Sequence, residues 1–496
     1  MGNEFTLDLV KKSEMVRIRM IRLFTLWLGL GLVSEAQNYF PSLERVPSPA
    51  REFRAAWVAC IYNIDWPSRK GLGPSAQQAE LRRILDRMAS LRMNAIIFQV
   101  RPQADAVYRS SIEPWSPWLS GAMGKNPGYD PLAYCIQQAH ARNIEVHAWF
   151  NPFRAVPHKD HPVSSSHVSR THPSIIRSFK IHKWMDPGSS FTRQRALDVI
   201  MDVVRRYDVD GVHIDDYFYP YPTVVDGRPT PVFPDGKRPS QRRNYVDSFV
   251  QALYAKVKRS KPWVRVGISP FGIWKPGIPR GTTAGINAYE HLAADSRKWL
   301  ASGWCDYLAP QLYWRIEGPQ SYTLLLEWWR AQGQRPVWPG IATSRIKSRE
   351  DPGRPASEII NQIQLARKIG NNYVGHLHWS ARALMQDRGG VTAALARSCY
   401  TNPALVPPMP WSSRAIPPSP AVSASRSRGA TLVRWSKVPA ASRYSVQARF
   451  GSRWSTITVS SGGQLGVAVT GSPEAVAVRA VDRFGTISKP GVVTRR

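Results

Sequence analysis

The sequence predicts an α/β protein built on a (β/α)8 TIM barrel, which is followed by a small all-β sandwich domain. Between about residues 51 and 400, eight apolar strand-like runs alternate with helix-like segments. A proline-rich stretch then breaks this pattern, and after it short runs alternate between apolar and polar residues. The chain of 496 residues is long enough to form both units.

Each predicted strand leads into a helical pattern, as in RQRALDVIMDVVRRY after the third run. The strand-like runs begin at Phe53, Asn94, Ile144, Val209, Val264, Cys305, Pro336 and Tyr373. The segments that join a strand to its helix are long and rich in aromatic and polar residues, whereas the return segments are short. This asymmetry predicts a functional face at the carboxyl ends of the strands.

The fourth run, DVDGVHIDDYFYPYP, ends in two adjacent carboxylates followed by aromatic rings. Residues two apart share one face of a strand, so Val212 and Ile214 are predicted to meet the helices while His213 and Asp215 point into the barrel. Barrel interiors are normally filled by branched apolar side chains. A carboxylate directed inward therefore predicts a polar pocket at the barrel mouth.

The same alternation brings other polar and aromatic side chains to the strand ends. The predicted substrate-binding residues are Gln99, Arg101, His147, Asn151, His213, Tyr217, Gln311, Tyr313, Trp314 and His378. Aromatic planes stack on the C–H faces of sugars, and polar side chains bind the sugar hydroxyls, so this set favours a carbohydrate ligand. Structural alternatives exist for His213, as a support for its neighbours, and for Arg101, as a counter-charge to the aspartates.

Five motifs occur in order: EPWSPWLSG, GYDPLAYCIQQAHARNIEVHAWFNPFR, DVDGVHIDDYFYPYP, VGISPFGIW and DYLAPQLYW. Together they closely resemble the bacterial glycosyl-hydrolase-like family ten, over roughly residues 51–400. The resemblance implies a secreted or envelope glycoside hydrolase, with peptidoglycan glycan strands as the polysaccharide substrate. The alternative is a glycan-binding barrel protein of the cell envelope that lacks a competent acid.

Glycoside hydrolysis usually requires two carboxyl groups, one of which protonates the leaving oxygen. Asp215 is predicted to be the nucleophile or base. The proton donor is either Asp216 or Glu317, which follows the sixth strand; Glu113 and Asp105 are weaker candidates. The sequence contains no HExxH, EF-hand or glycine-rich phosphate motif, so no metal or other cofactor is predicted.

Composition bears on the partner and on redox state. The formal net charge of +32 favours nucleic acid, an anionic surface or an acidic polymer as a partner, and export would leave the envelope polymer rather than nucleic acid. The alternative is a basic composition with no charged partner. The four cysteines show no CxxC spacing, so neither a zinc site nor a dense disulfide framework is predicted.

Residues 401–420 are predicted to be a proline-rich, extended and semi-rigid linker. Beyond it, residues 421–496 resemble a fibronectin type III module, because of Trp435, Tyr444 and the ending AVDRFGTIS. This module would dock on the wall, space the barrel from a surface or serve as a passive accessory domain.

Residues 1–36 are predicted to be a signal peptide. A basic start is followed by the apolar run LFTLWLGLGLV and by small residues at Ser34 and Ala36, and the run is too short for a membrane span. No cysteine lies near the expected cut, so a lipoprotein is not indicated. The predicted location is the periplasm, cell envelope or extracellular space, without stable membrane insertion after cleavage; an uncleaved anchor is the alternative.

Protein isolated from its native host is therefore expected to begin at Gln37 and to be found outside the cytoplasm. Intact-mass measurement of the purified protein checks this prediction, because loss of residues 1–36 changes the mass by a defined amount. A mass that still includes those residues would contradict it.

Overall fold

The computed structural model describes residues 39–226, 228–370, 373–427 and 429–496. The predicted signal peptide, residues 1–36, lies outside the described residues. Within these ranges, no helix combines the length and the apolar character that crossing a membrane requires. All four cysteines are described, and each is a buried free thiol.

Eight parallel strands form the central sheet, in the order β6-β5-β4-β3-β2-β1-β8-β7. They are β1 (Phe53–Val58), β2 (Ala95–Arg101), β3 (Glu145–Phe150), β4 (Gly211–Ile214), β5 (Arg265–Ile268), β6 (Tyr307–Leu308), β7 (Gly340–Ile341) and β8 (Gly375–His378). The two ends of this order also meet, since Trp338 N, just before β7, donates to the carbonyl oxygen of Leu308 in β6 at 2.9 Å. The prediction of eight parallel strands is confirmed, and the sheet curls until its edges join.

One main helix follows each strand. These helices are α1 (Pro74–Ser90), α2 (Pro131–His140), α3 (Ser190–Arg206), α4 (Pro239–Ser260), α5 (Ser296–Ala301), α6 (Tyr322–Arg330), α7 (Ala356–Ile369) and α8 (Val391–Ser398). Shorter helices or 3-10 turns occupy Ile61–Asn63, Pro117–Ser120, Val168–Thr171, Pro173–Ile175, Ala288–His291, Thr343–Arg345, Ala381–Met385 and Arg388–Gly390. Helix α3 shows why these segments are helical. The Ser189 side chain caps its first turn, and Leu197, Ile200 and Val204 lie on its buried face.

The sheet separates two apolar regions. Val212 and Ile214 of β4 join the large core between strands and helices. Inside the barrel, the ring of Trp338 stacks on Phe53 and on Tyr307, with centroids 4.1 and 4.6 Å apart. The alternation of faces along β4 thus follows the predicted pattern.

Long insertions build a rim at the carboxyl ends of the strands. The segment between β3 and α3 contains a three-stranded antiparallel sheet, formed by Arg154–Val156, Ile176–Phe179 and His182–Met185. The segment between β4 and α4 contains the strand pair Thr223–Val225 and Arg228–Thr230. These insertions surround the mouth of the barrel on the face that the loop lengths predict.

The C-terminal part is all-β. Its strands are β9 (Val422–Ser427), β10 (Ala430–Trp435), β11 (Arg443–Phe450), β12 (Arg453–Ser461), β13 (Gly466–Thr470), β14 (Ala475–Val481) and β15 (Gly491–Arg495). They form two antiparallel sheets, β9-β10-β13 and β12-β11-β14-β15, which share an apolar cluster that includes Trp435, Tyr444 and Val478. The strand Tyr39–Pro41, which precedes the barrel, pairs with β15 and extends the second sheet.

The proline-rich segment is packed against the rest of the chain. Leu405 N donates to the carbonyl oxygen of Ala50, and the Leu405 carbonyl accepts from Glu52 N, both at 2.9 Å. Further along, Trp411 Nε1 donates to Asp306 Oδ1 at 2.8 Å, and Asp306 directly precedes β6. The segment therefore lies across the amino-terminal ends of the barrel strands instead of projecting as a spacer.

Ion pairs join the two parts at the same end of the barrel. Arg443 of β11 contacts Glu145, the first residue of β3, with Nη1 3.2 Å from Oε1. Its other terminal nitrogen lies 3.6 Å from Asp210 Oδ1. Arg483 contacts Asp208 with a separation of 2.6 Å. The C-terminal all-β part, strands β9 to β15, which we call the β-sheet module, consequently covers the end of the barrel opposite its mouth.

If the proline-rich segment is part of this packing, Leu405→Ala should lower the free energy of unfolding by about 2–4 kcal/mol, because it removes a buried aliphatic side chain. Leu405 is only 3% exposed, whereas Ile416 in the same segment is 69% exposed. Ile416→Ala is thus the matched control and should change the free energy of unfolding by less than about 0.5 kcal/mol. Urea denaturation measures both values, and equal stabilities for the two variants would show a loose linker.

Candidate active site

The carboxyl ends of the barrel strands enclose a cavity of about 260 Å³. It is lined by Trp57, Trp149, Asp215, Asp216, Tyr217, Tyr221, Ser269, Phe271, Gln311, Tyr313 and Trp379. Most of these side chains are aromatic, and the polar ones include two neighbouring carboxyl groups. Such a lining combines flat apolar surfaces with a few directed polar groups, as small-ligand sites do.

Asp215 directly follows β4 and points into the cavity. Its Oδ2 accepts hydrogen bonds from the indole of Trp149, at 3.2 Å, and from the side-chain amide of Asn151. Its Oδ1 accepts from the backbone N–H of Tyr217 at 3.3 Å. Three N–H donors from two parts of the chain therefore hold this carboxyl group in one orientation.

Asp216 also lines the cavity, although strict alternation along β4 would point it away. The chain has already left the strand at this position, and the Asp216 side chain turns toward the mouth. Its Oδ1 accepts from Gln311 Nε2 at 3.0 Å, and its Oδ2 accepts from the hydroxyl of Tyr221. Both carboxyl groups of the DD pair thus open into one cavity.

The two aspartates influence each other's protonation. Burial, and then the charge of Asp216, raise the pKa of Asp215 to about 7. Burial likewise raises the pKa of Asp216, against hydrogen bonds from Tyr221 and Gln311. Burial and the repulsion between the two carboxylates thus favour a proton on one of them.

Gln99 and Asn151 support Asp215 from below. Gln99 Nε2 donates to Asn151 Oδ1 at 2.7 Å, which orients the Asn151 amide that binds Asp215. The other end of the Gln99 side chain accepts from the backbone N–H groups of Cys60 and Ile61, both at 2.9 Å. Neither residue lines the cavity, so the structure gives both of them a positioning role.

Arg101 does not reach the cavity. Its Nε and Nη2 donate to the two carboxylate oxygens of Glu113 at 2.7 and 2.6 Å, and its Nη1 donates to the carbonyl oxygen of Asn151 at 2.7 Å. The counter-charge role suggested for Arg101 is therefore directed at Glu113 and not at the aspartates. Glu113 is held in this buried ion pair, which leaves it outside the candidate catalytic set.

His147 and His213 lie inside the barrel, beneath the cavity. Trp57 Nε1 donates to His213 Nε2 at 3.3 Å, and His213 Nδ1 lies 3.0 Å from the Tyr307 hydroxyl. That hydroxyl is 2.9 Å from His147 Nδ1, and His147 Nε2 is 3.3 Å from Glu145 Oε2. We call this series, from Trp57 to Glu145, the interior chain.

The interior chain has one consistent direction of donation. An indole N–H only donates, so His213 accepts at Nε2 and carries its proton on Nδ1, from which it donates to the Tyr307 oxygen. Tyr307 then donates to His147, and His147 donates to the carboxylate of Glu145. Burial lowers the pKa of His213 well below its usual range, in agreement with a neutral ring.

His378 is enclosed as well. Its Nδ1 lies 2.7 Å from Thr343 Oγ1 and its Nε2 lies 2.8 Å from the Tyr400 hydroxyl, so both ring nitrogens are occupied by protein. Burial lowers the pKa of His378 well below its usual range. The three predicted histidine ligands are thus interior side chains, and none of them lines the cavity.

The remaining predicted residues divide into two groups. Tyr217, Gln311 and Tyr313 line the cavity. Trp314 packs behind Phe271, with ring centroids 5.7 Å apart, and is absent from the lining. Glu317 is exposed on the loop after β6 and is also outside the lining, because the chain turns outward after Trp314. The structure therefore brings Asp216, but not Glu317, to Asp215.

Several lining residues were not predicted to bind substrate. Trp57 continues the alternation of Phe53 and Ala55 along β1, so strand parity contains the signal for it. Phe271 lies three positions after β5, as Tyr217 does after β4, and Trp379 directly follows β8. A consistent search for aromatic residues one to three positions after each strand would have identified both.

Comparisons with known proteins identify the family of the chain. Residues 52–351 match the family described as Glycosyl hydrolase-like 10. The chain is 39% identical over 393 residues to glycosyl hydrolase YngK of Bacillus subtilis (strain 168), which covers 75% of this chain and 76% of that protein. It is 33% identical over 307 residues to glycosyl hydrolase DigH of Escherichia coli (strain K12), which covers 56% of this chain and 70% of that protein.

Among solved structures, an endo-1,4-beta-mannanase from Rhizomucor miehei aligns with 73% of this chain and 100% of its own, with a TM-score of 0.46 and 13% sequence identity. The family match spans more than half of the chain, and the identity to the two relatives extends over more than 300 residues. The chain belongs to the glycosyl hydrolase-like 10 family.

Proposed function

We propose that this protein hydrolyses glycosidic bonds in a cell-envelope polysaccharide, and that its substrate is the glycan strands of peptidoglycan. One observation carries the proposal: two neighbouring carboxyl groups, Asp215 and Asp216, share a buried, aromatic-lined cavity, where burial raises the pKa of each. Glycoside hydrolysis requires such a pair of carboxyl groups, one protonated and one ionised. Membership of a glycosyl hydrolase-like family supports the same reaction class.

In this proposal Asp215 is the nucleophile or the base that activates water. Its three hydrogen-bond partners are all N–H donors, which favour the ionised form of a carboxyl group. Asp216 is the proton donor. The hydroxyl of Tyr221 can accept as well as donate, so the hydrogen bond between Tyr221 and Asp216 survives when Asp216 carries the proton.

The reaction then proceeds by transfer of the Asp216 proton to the glycosidic oxygen as the bond to the anomeric carbon breaks. Asp215 either attacks that carbon or removes a proton from the water that attacks it. Aromatic side chains orient the sugar. Trp379 lies at the centre of this aromatic wall, with ring centroids 6.0 Å from Trp57, 6.1 Å from Trp149 and 6.4 Å from Tyr313.

The choice of an envelope polymer as substrate rests on export and charge. The N-terminal pattern favours export, and the net charge of +32 favours an acidic polymer. The β-sheet module, which we propose to be fibronectin type III-like, covers the opposite end of the barrel and leaves the mouth accessible to a long glycan. In that position it can contact the cell wall without blocking the cavity.

The second candidate function is glycan binding without hydrolysis. The pair of buried carboxyl groups in the cavity favours the enzyme, because burying two such groups side by side is costly and perturbed carboxyl groups in a cleft are typical of catalytic sites. Release of reducing ends from purified, peptide-free peptidoglycan strands distinguishes the two. New reducing ends indicate hydrolysis, whereas binding without new ends indicates the alternative.

Asp215→Asn is expected to lower the rate of reducing-end release by about 10³-fold or more, while glycan binding persists. The substitution removes the charge with almost no change in shape. Glu317→Gln is the matched control: it neutralises an exposed carboxylate outside the cavity and should retain activity within about threefold of wild type. A normal rate for Asp215→Asn together with a large loss for Glu317→Gln would reverse the assignment.

The aspartate pair also predicts how stability depends on pH. The folded state raises the pKa of Asp215 from 3.8 to about 7, so between these values the folded protein binds more protons than the unfolded chain. The stabilisation from this carboxyl group is complete below about pH 4 and is lost as the pH rises through about 7. The Asp215→Asn variant lacks this titrating group, so its stability does not include this decrease with pH.

The melting temperature of Asp215→Asn, relative to wild type, should therefore increase from about pH 4 to about pH 7.5. Thermal unfolding followed by circular dichroism at several pH values measures this difference. A constant difference across the range would contradict the raised pKa of Asp215.

A further inference from the structure

We propose that Arg154 binds a carboxylate carried by the substrate, so that the cavity recognises an acidic sugar. This inference deepens the proposed function, on which its hydrolytic test rests. A guanidinium group presents parallel N–H donors that match the two oxygens of a carboxylate.

Arg154 lies beside the aspartate pair. It begins the strand Arg154–Val156, three residues after Asn151, and is only 7% exposed. Its guanidinium carbon is 4.2 Å from the centroid of the Tyr217 ring, which lines the cavity. Tyr217 in turn donates its backbone N–H to Asp215. The guanidinium group is therefore next to the wall that borders the candidate catalytic centre.

The side chain of Arg154 makes no hydrogen bond or ion pair with any residue that the structure describes. Every other buried arginine in those ranges donates at least one side-chain hydrogen bond: these are Arg54, Arg101, Arg242, Arg265, Arg354 and Arg479. Burying a charged group without such partners is costly. Arg154 does not itself line the cavity, but its unpaired nitrogens are not enclosed by protein, and its guanidinium group stacks on a ring of the cavity wall. A partner that arrives with a ligand at the edge of the cavity best explains this arrangement.

The aspartates are not that partner. The positive charge of Arg154 lowers the pKa values of both Asp215 and Asp216, against the larger effect of burial. Neither carboxyl group forms an ion pair with Arg154, and their oxygens accept from the N–H and O–H donors of other residues. The donors of the guanidinium group thus remain free for an anion at the edge of the cavity, beside Tyr217.

Two classes of sugar carry a suitable carboxylate. N-acetylmuramic acid has a lactyl carboxylate on every second residue of a peptidoglycan strand, and uronic acids carry one on the ring. Both present the same bidentate acceptor to Arg154. Substrates that contain one or the other, compared with their carboxyl-reduced forms, separate the sources.

Binding is measured first, in the Asp215→Asn background, by calorimetry with oligosaccharides of peptide-free peptidoglycan and with the same oligosaccharides after carboxyl reduction. We expect the acidic form to bind about tenfold or more tightly than the reduced form. Arg154→Gln should abolish this preference while leaving affinity for the reduced form unchanged. Arg349→Gln, which removes the same charge from an exposed position, should preserve it.

Oligogalacturonate and its reduced form provide the uronic-acid arm of the same measurement. A preference that depends on Arg154 only with muramic-acid oligosaccharides identifies the lactyl group, and one that occurs only with oligogalacturonate identifies the ring carboxylate. Equal weakening of acidic and reduced ligands by Arg154→Gln, or no weakening of either, would overturn the proposal. Arg154→Lys, which keeps the charge but not the paired donors, should retain part of the preference and controls for folding.

Hydrolysis assays on protein that retains Asp215 separate this inference from the proposed function. If reducing ends are released equally from acidic and reduced strands, and Arg154→Gln only shifts the pH profile, Arg154 tunes the aspartates and the anion site is excluded. If no strand is cleaved by the wild-type protein, the proposed function fails. The binding preference would then still decide the role of Arg154.

Discussion

The interior chain, from the indole of Trp57 to the carboxylate of Glu145, is the interaction on which the rest of the structure depends. Polar groups inside a closed sheet have no access to bulk water, so each must find a protein partner. The Tyr307 ring reaches its partners because it packs directly against the backbone of Gly267. A Cβ atom at Gly267 would lie 2.0 Å from that ring, so only glycine leaves room for it. At the far end, Glu145 is paired with Arg443 of the β-sheet module. One hydrogen-bonded series thus links a wall of the cavity to the packing of the two parts of the chain.

Along the barrel axis, the residues that support the cavity lie apart from the residues that we propose to react. Histidines and the Tyr307 hydroxyl occupy the interior, where burial keeps the rings of His213 and His378 neutral. Carboxyl groups occupy the mouth, where burial has the opposite effect and favours a protonated aspartate. Desolvation acts on both sets, but it disfavours the charged form in each case, so the histidines lose protons while the aspartates retain one. The proposed acid and base at the mouth follow from this difference.

Strand periodicity predicts the inward direction of a residue but not what that residue contacts. Gln99, Arg101 and His147 all point inward from β2 and β3, yet Gln99 orients Asn151, Arg101 pairs with Glu113 and His147 continues the interior chain. Most of the residues predicted to bind substrate thus lie behind the cavity wall instead of lining it, and the lining is mainly aromatic. Only at the DD pair did charge predict a cavity residue better than strand periodicity did. Two adjacent carboxyl groups at the end of a buried strand have no structural role that the sequence suggests.

By itself the sequence determined the eight strands, the face that carries the long loops and the position of Asp215 at the mouth, since all of these follow from local periodicity and segment length. Only the tertiary structure decided the partners: that Asp216 turns into the same cavity, that Tyr39–Pro41 joins the C-terminal sheet and that Leu405 packs beneath the barrel. Arg154 belongs to this second group. Its burial without a partner depends on residues distant in the chain, and no local pattern encodes such contacts.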